Sequence, residues 1–123
     1  MKLKLTANDI VVFSYFCNHT CAELVNEIHK FMHKQKTLEY LELKVRLGEM
    51  LILKDKFDLL EYKKTHISRP VPINRKYLVK ISPVHSLLII MYSERYIKKM
   101  KDDYLTLTIQ EQKDILYKSL LTN

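Results

Sequence analysis

The sequence predicts one mainly helical domain with a small antiparallel β hairpin, an α+β fold. Its 123 residues, 47% hydrophobic and 28% charged, suffice for one packed core and are too few for two ordinary domains. The single glycine excludes glycine-rich phosphate loops and multi-hairpin barrels, because both need several positive-φ or close-approach positions. Apolar residues recur at helical spacing in both halves of the chain. We therefore treat residues 1–123 as a single domain.

Two helices are predicted in the first third of the chain. Thr6 and Asp9 can cap the first, and its apolar stripe is formed by Ile10, Phe13 and Cys17. We expect Asn18-His19 to end that helix. A capping box of Thr20 and Glu23 then predicts a second helix, with an apolar stripe of Leu24 or Val25, Ile28 and Met32.

Residues 37–53 fit two structures. Thr37 can cap a helix, and Gly48 would lie just past its end, where glycine suits a left-handed cap. The same segment also alternates apolar and charged residues as a half-buried strand does, at Leu41, Leu43, Val45 and Leu47. We favour the helix because the chain's one glycine falls at a plausible helix end.

A hairpin is predicted in the middle of the chain, with strands at residues 57–64 and 76–81. The connection at 65–75 contains Pro70 and Pro72, which keep the residues before them extended and cannot join a central sheet. This pattern indicates a long, stiff and basic loop between the two strands.

The last third is predicted to be helical. Ser82-Pro83 supplies an N-cap followed by proline at the first helical position, and this helix should run to about Lys101. Thr108 and Glu111 form a capping box for a final helix. We expect residues 83–123 to pair two subunits into a homo-oligomer.

The positive charge is concentrated in one segment. The chain has 21 basic and 14 acidic residues, a net charge of +7, yet no Asp or Glu lies between Glu61 and Glu94. That gap holds six basic residues, so the rest of the chain has 15 basic against 14 acidic residues, a net of +1. A localised basic segment favours a polyanionic partner, whose phosphates would make binding depend on salt. The alternative is a solvated loop whose lysines maintain solubility.

The order of these elements resembles a winged helix-turn-helix domain over residues 5–82. The resemblance depends on three candidate helices followed by Phe57–Lys64, a polar loop and Tyr77–Pro83. In that family the third helix enters the major groove and the wing contacts the flanking backbone. The resemblance implies helix contacts by Lys34, Lys36, Thr37, Lys44 and Arg46. It implies wing contacts by Lys63, Lys64, Arg69, Arg75 and Lys76.

No metal site, cofactor or catalytic site is predicted. Cys17, Cys21, His29 and His33 are zinc-ligand types, but Cys21 and His29 share one predicted helix, and eight residues of helix rise about 12 Å. Cys17, drawn as a nucleophile with His19 or His85, falls on an apolar stripe where a buried, inert thiol is expected. The sequence therefore predicts a protein that is not an enzyme.

Two functions fit these features, and a third, an inhibitor or adaptor bound to a host enzyme, stays open. The first is a nucleic-acid-binding protein, a DNA-binding regulator that contacts double-stranded DNA through the basic hairpin and the third helix. The second is a phage or mobile-element structural or assembly protein, whose basic hairpin contacts acidic surfaces of neighbouring subunits. The longest unbroken apolar run has six residues, 87–92, so no membrane span is expected. We expect a cytoplasmic location, or the virion if the protein is phage-encoded.

Overall fold

The structure is a computed structural model that describes residues 2–31, 33, 37–65 and 75–99. Within them it contains strand β1 (Lys2–Leu5), helix α1 (Ala7–Lys30), helix α2 (Leu38–Thr65), strand β2 (Tyr77–Lys80) and helix α3 (Pro83–Lys99). The prediction of a mainly helical fold with a small antiparallel sheet is therefore confirmed. The helix predicted from Thr108 lies outside the described residues.

Helix α1 is one continuous helix where two were predicted. Thr6 and Asp9 form the expected capping box: the Thr6 backbone N–H donates to the Asp9 carboxylate at 3.0 Å, and the Asp9 N–H donates to the Thr6 hydroxyl at 3.2 Å. The predicted break at Asn18-His19 is wrong, because the helix continues to Lys30. The side-chain amide of Asn18 donates to the Ser14 carbonyl one turn earlier, at 2.8 Å. Thr20 is a buried mid-helix residue and caps nothing.

Helix α2 is also longer than predicted and has 28 residues. The prediction of a helix over 37–47 is confirmed, with the Thr37 hydroxyl accepting from the Tyr40 N–H at 3.4 Å. Gly48 does not end the helix. Its φ is not positive, so it makes no left-handed cap, and the helix continues through the segment 57–64 that was predicted to be a strand.

The small sheet is built from different strands than predicted. β2 lies within the predicted strand 76–81, but it pairs with β1 in antiparallel register, with Leu3 opposite Val79 and Leu5 opposite Tyr77. The predicted hairpin of 57–64 with 76–81 is therefore wrong. β1 and β2 are adjacent in the sheet although α1 and α2 separate them along the chain.

The core lies between the three helices and the inner face of the sheet. The Phe13 ring of α1 stacks on the Phe57 ring of α2, with centroids 4.9 Å apart and planes at 9°. Phe16 of α1 meets Tyr96 of α3 edge to face at 5.6 Å. α3 begins as predicted, since the Ser82 hydroxyl accepts from the His85 N–H at 3.2 Å and Pro83 is its first residue.

Candidate nucleic-acid interface

The outer face of the β1–β2 sheet is strongly basic. Side chains alternate between the two faces of a strand, so burial of Leu3, Leu5 and Val79 turns the intervening residues outward. In the pairing register Lys2 lies opposite Lys80, and Lys4 lies opposite Leu78. All four of these side chains are exposed. We name the four outward residues Lys2, Lys4, Leu78 and Lys80 the basic sheet face.

Further basic residues lie beside this face. The Lys56 ammonium of α2 donates a hydrogen bond to the Lys80 carbonyl, which places its charge at the edge of β2. Arg75 and Lys76 immediately precede β2, and both are exposed. The Arg75 guanidinium lies over the Tyr77 ring, 5.2 Å from its centroid, and this cation–π contact favours one side-chain position. The sheet and its approach thus bring six basic residues into one region of the chain's surface: Lys2, Lys4, Lys56, Arg75, Lys76 and Lys80.

The residues predicted for the wing do not form one structural unit. Lys63 and Lys64 belong to the last turns of α2, whereas Arg75 and Lys76 lie at the start of β2. Arg69 lies outside the described residues. No hairpin joins the described wing positions, because the segment predicted as its first strand is helical.

The residues predicted for the recognition helix are spread along α2 and before it. Lys34 and Lys36 lie outside the described residues, and Thr37 caps α2. The Lys44 ammonium lies 5.5 Å from the centroid of the Tyr40 ring on the same helix. The Arg46 guanidinium donates to the Tyr92 hydroxyl at 3.5 Å and lies 3.9 Å from the Glu42 carboxylate. Arg46 is therefore partly engaged in holding α2 to α3.

The basic residues of β1, together with Lys56 and Lys80, were not among the predicted site residues. The signal for β1 was present in Lys2-Leu3-Lys4-Leu5, a strict alternation of charged and apolar residues that is typical of a half-buried strand. Such an alternation also predicts that the charges share one face. Nothing in the sequence, however, indicates which strand pairs with it.

Cys17 and Cys21 are buried on α1, one turn apart. Burial raises the pKa of the Cys17 thiol far above its ordinary value, and the neighbouring Cys21 adds to this shift. Burial also raises the pKa of Cys21 to about 11. Both thiols are therefore protonated at neutral pH, and a protonated thiol is a poor nucleophile and a poor metal ligand. In the described part of the chain, no three His, Cys, Asp or Glu side chains are grouped as metal ligands.

Comparisons with protein-family models, with curated proteins and with solved structures find no match for this chain. None of the helices among the described residues is long and apolar enough to cross a membrane. Among the described residues, the basic sheet face is a concentrated region of positive charge.

Proposed function

We propose that this protein is a small, non-enzymatic nucleic-acid-binding protein that contacts the phosphates of double-stranded DNA through the basic sheet face. The resemblance to a winged helix-turn-helix domain remains a hypothesis about how the protein contacts DNA. The basic sheet, rather than a hairpin of residues 57–81, takes the part that the wing has in that family. Base contacts by Lys44 and Arg46 of α2 remain a prediction within the same proposal.

The observation that carries this proposal is the pairing of Lys2 with Lys80. Like charges directly opposite each other on antiparallel strands destabilise a sheet. Lys4 and Lys56 add further positive charge close by. An anionic backbone laid along this face would remove the repulsion, so binding and sheet stability would support each other.

Binding of this kind has a measurable electrostatic signature. Each lysine that neutralises a phosphate releases condensed counterions, so the affinity falls with salt by a slope of about 0.9 per contact on a double-logarithmic plot. Lysine acts as a point charge and reads no base pattern bidentately, so the contacts of the basic sheet face should be independent of DNA sequence.

The test is a fluorescence-anisotropy titration of a labelled duplex at several salt concentrations. The double variant Lys2→Ala, Lys80→Ala removes two charges from the basic sheet face. It should weaken binding about tenfold or more in low salt and reduce the salt slope by about two contacts. The matched control is Lys30→Ala, Lys98→Ala, which removes two exposed charges from α1 and α3.

Two results would contradict the proposal. One is a wild-type chain that does not bind the duplex in low salt. The other is an equal loss of affinity in the two double variants, since that would mean that only the total charge of the chain matters and that the sheet is no specific site.

A second candidate is a structural or assembly protein whose basic face contacts an acidic surface on a neighbouring subunit. The observation that favours it is Leu78, which is 66% exposed among the lysines of the basic sheet face. Burial of an apolar side chain contributes to a protein interface, whereas a phosphate backbone offers little for it to pack against. Titration with poly-glutamate separates the two: binding through Lys2 and Lys80 to poly-glutamate, with none to duplex DNA, would favour the assembly protein.

A further inference from the structure

The outer face of α2 carries an apolar stripe that runs most of the length of the helix. Its side chains are each between 50% and 68% exposed. Together with Gly48 and Asp55, which lie between them, these residues follow one another at alternating intervals of three and four residues. We name this set the outer stripe: Leu38, Leu41, Val45, Ile52, Leu59 and Tyr62.

The spacing of the outer stripe is that of a coiled coil. Leu38, Val45, Ile52 and Leu59 recur every seven residues and occupy the heptad position a, and Leu41, Gly48, Asp55 and Tyr62 occupy position d. The buried residues Leu43, Met50 and Phe57 occupy position f, on the opposite side of the helix. The outer stripe is therefore additional to the face that packs in the core.

The outer stripe is long enough to form an interface with a second helix. From Leu38 to Tyr62 the helix rises about 36 Å at 1.5 Å per residue. Single exposed apolar side chains are normal, but monomeric proteins rarely expose a contiguous apolar patch of more than a few hundred Å². An interface along this length of helix is of the order that two small proteins need for stable association, roughly 800 Å² from each partner.

The charges beside the outer stripe indicate which partner fits. At heptad position e, Glu42 and Glu49 lie in the first half of the helix, whereas Lys56 and Lys63 follow in the second half. When two copies of α2 run antiparallel, their e positions face each other, so the acidic half of one copy meets the basic half of the other. The flank is therefore complementary to itself.

Glu42 and Lys63 are the better placed pair of these charges, because Glu42 lies 3.9 Å from Arg46 of its own helix, a longer contact than those that Glu49 and Lys56 make. Glu49 already lies 3.0 Å from the His85 ring, and Lys56 donates to the Lys80 carbonyl. A parallel arrangement would place Glu42 opposite the uncharged Thr37. Only the antiparallel arrangement therefore places both Glu42 and Lys63, at the two ends of this row of charges, opposite a residue of opposite charge.

Gly48 and Asp55 fit the same arrangement. A Cβ added at Gly48 would meet no atom within 4 Å, so nothing in the described part of this chain requires glycine there, although glycine inside a helix is unfavourable. A glycine within an apolar stripe lets a second helix approach closely. Asp55 interrupts the stripe, and a polar residue at a core position of a coiled coil restricts the register at a cost in stability.

We propose that the outer stripe of α2 is the contact surface for a second copy of this chain, which packs against it as an antiparallel helix pair. The dimer does not rest on the DNA-binding proposal, because the outer stripe shares no residue with the basic sheet face, although Lys56 lies beside both, and because the dimer is measured without nucleic acid.

The test is the mass of the full chain by sedimentation equilibrium. The wild type should be a dimer, and Val45→Glu should dissociate at least tenfold more readily, because two carboxylates would enter the apolar contact. The matched control is Val25→Glu, which makes the same change at a side chain of α1 that is 40% exposed. It should remain dimeric. Helical circular dichroism of each variant checks that the chain is folded, and glutamate is a good helix former at position 45.

Three outcomes would overturn the proposal. The first is a wild type that is monomeric at about 100 μM, a hundred times a micromolar Kd. The second is a Val45→Glu variant that is folded and still as dimeric as the wild type. The third is a monomer that binds phospholipid vesicles through the outer stripe, with binding lost in Val45→Glu, which would assign the surface to a membrane.

The orientation has its own test. In an antiparallel pair Glu42→Lys alone should weaken the dimer, because it places a positive charge near the partner's Lys63. The double variant Glu42→Lys, Lys63→Glu should restore it, because the opposite charges meet again. In a parallel pair the second change would bring a glutamate near the partner's Asp58, so a double variant weaker than Glu42→Lys would overturn the antiparallel arrangement.

Discussion

Both faces of α2 carry apolar side chains, but the inner face is buried in the core and the outer face is exposed. On the inner face Leu43, Met50 and Phe57 are at most 7% exposed, whereas Val45 and Ile52 on the outer face are more than half exposed. Periodicity alone therefore identifies the residues that gain from burial, and the packing of the chain decides which of them are buried. Among the described residues the outer face stays exposed, and it is the surface that we propose for a second copy of the chain.

The largest expected difference between the two faces is in core stability. Phe57→Ala removes a fully buried ring that stacks on Phe13, and it should lower the free energy of unfolding by about 3–5 kcal/mol. Leu59→Ala, two residues along on the outer face, should change it by about 0.5 kcal/mol or less. Urea unfolding in dilute protein, below the dissociation constant of any dimer, measures both. Equal losses would contradict the division of α2 into a core face and a contact face.

A smaller effect is expected at the edge of α2 that faces α1. Asp58 accepts hydrogen bonds from the Ser14 hydroxyl at 2.7 Å, the Asn18 amide at 3.1 Å and the Lys54 ammonium at 2.8 Å. Asp58→Asn should cost about 1–2 kcal/mol at neutral pH, because it removes the charge and presents a donor to these donors. Asp55→Asn on the outer face is the control and should be nearly neutral in dilute protein.

The Asp58 effect should also depend on pH. Partial burial raises the pKa of this carboxyl, but the hydrogen bonds from Lys54, Ser14 and Asn18 outweigh that effect and leave the pKa below its ordinary value. A carboxyl whose pKa is lower in the folded state stabilises the fold fully above its unfolded pKa of about 4, and this contribution is lost as the pH falls through the folded value. The stability difference between wild type and Asp58→Asn should therefore shrink below about pH 4. A difference that stays constant down to about pH 2 would contradict the lowered pKa.

The smallest effect is expected at Gly48. Because an added methyl group meets no atom and the backbone is helical, Gly48→Ala should stabilise the isolated chain by about 0.5–1 kcal/mol. The reverse change at an exposed position of α1, Ala22→Gly, should destabilise it by a similar amount. Thermal unfolding in dilute protein compares the two. A destabilising Gly48→Ala would mean that another part of the chain approaches Gly48 closely.

Some local sequence patterns predicted local structure correctly, whereas the capping box at Thr20, the helix end at Gly48 and the strand at 57–64 were wrong. Thr6 with Asp9 and Ser82 with Pro83 begin helices as predicted, because a cap is made within a few residues of the chain. The choice of a helix over a strand for 37–47 is confirmed. The alternation that suggested a strand there arises because Leu43 and Leu47 lie on the inner side of α2, and Leu41 and Val45 lie on its outer side.

Two further predictions failed because of contacts between distant segments. Asn18 was predicted to end a helix, but its amide reaches Asp58 of α2, and this partner is 40 residues away. The strand at 76–81 was paired with the segment before it, because hairpins join neighbouring strands. In the fold that segment is helical and β1 takes its place. Because β2 pairs with β1, the candidate site is the basic sheet face and not the predicted wing.

The sequence by itself determined the helical class, the starts of α1, α2 and α3, and the concentration of positive charge after Glu61. These depend on backbone propensity, caps and composition, which act over one or two turns of chain. The tertiary structure alone decided that β2 pairs with β1, that Lys2 and Lys4 join Lys80, and which face of α2 is buried. These depend on contacts between segments far apart in the chain, and an alternating or heptad pattern fixes the face of an element without naming the surface that covers it.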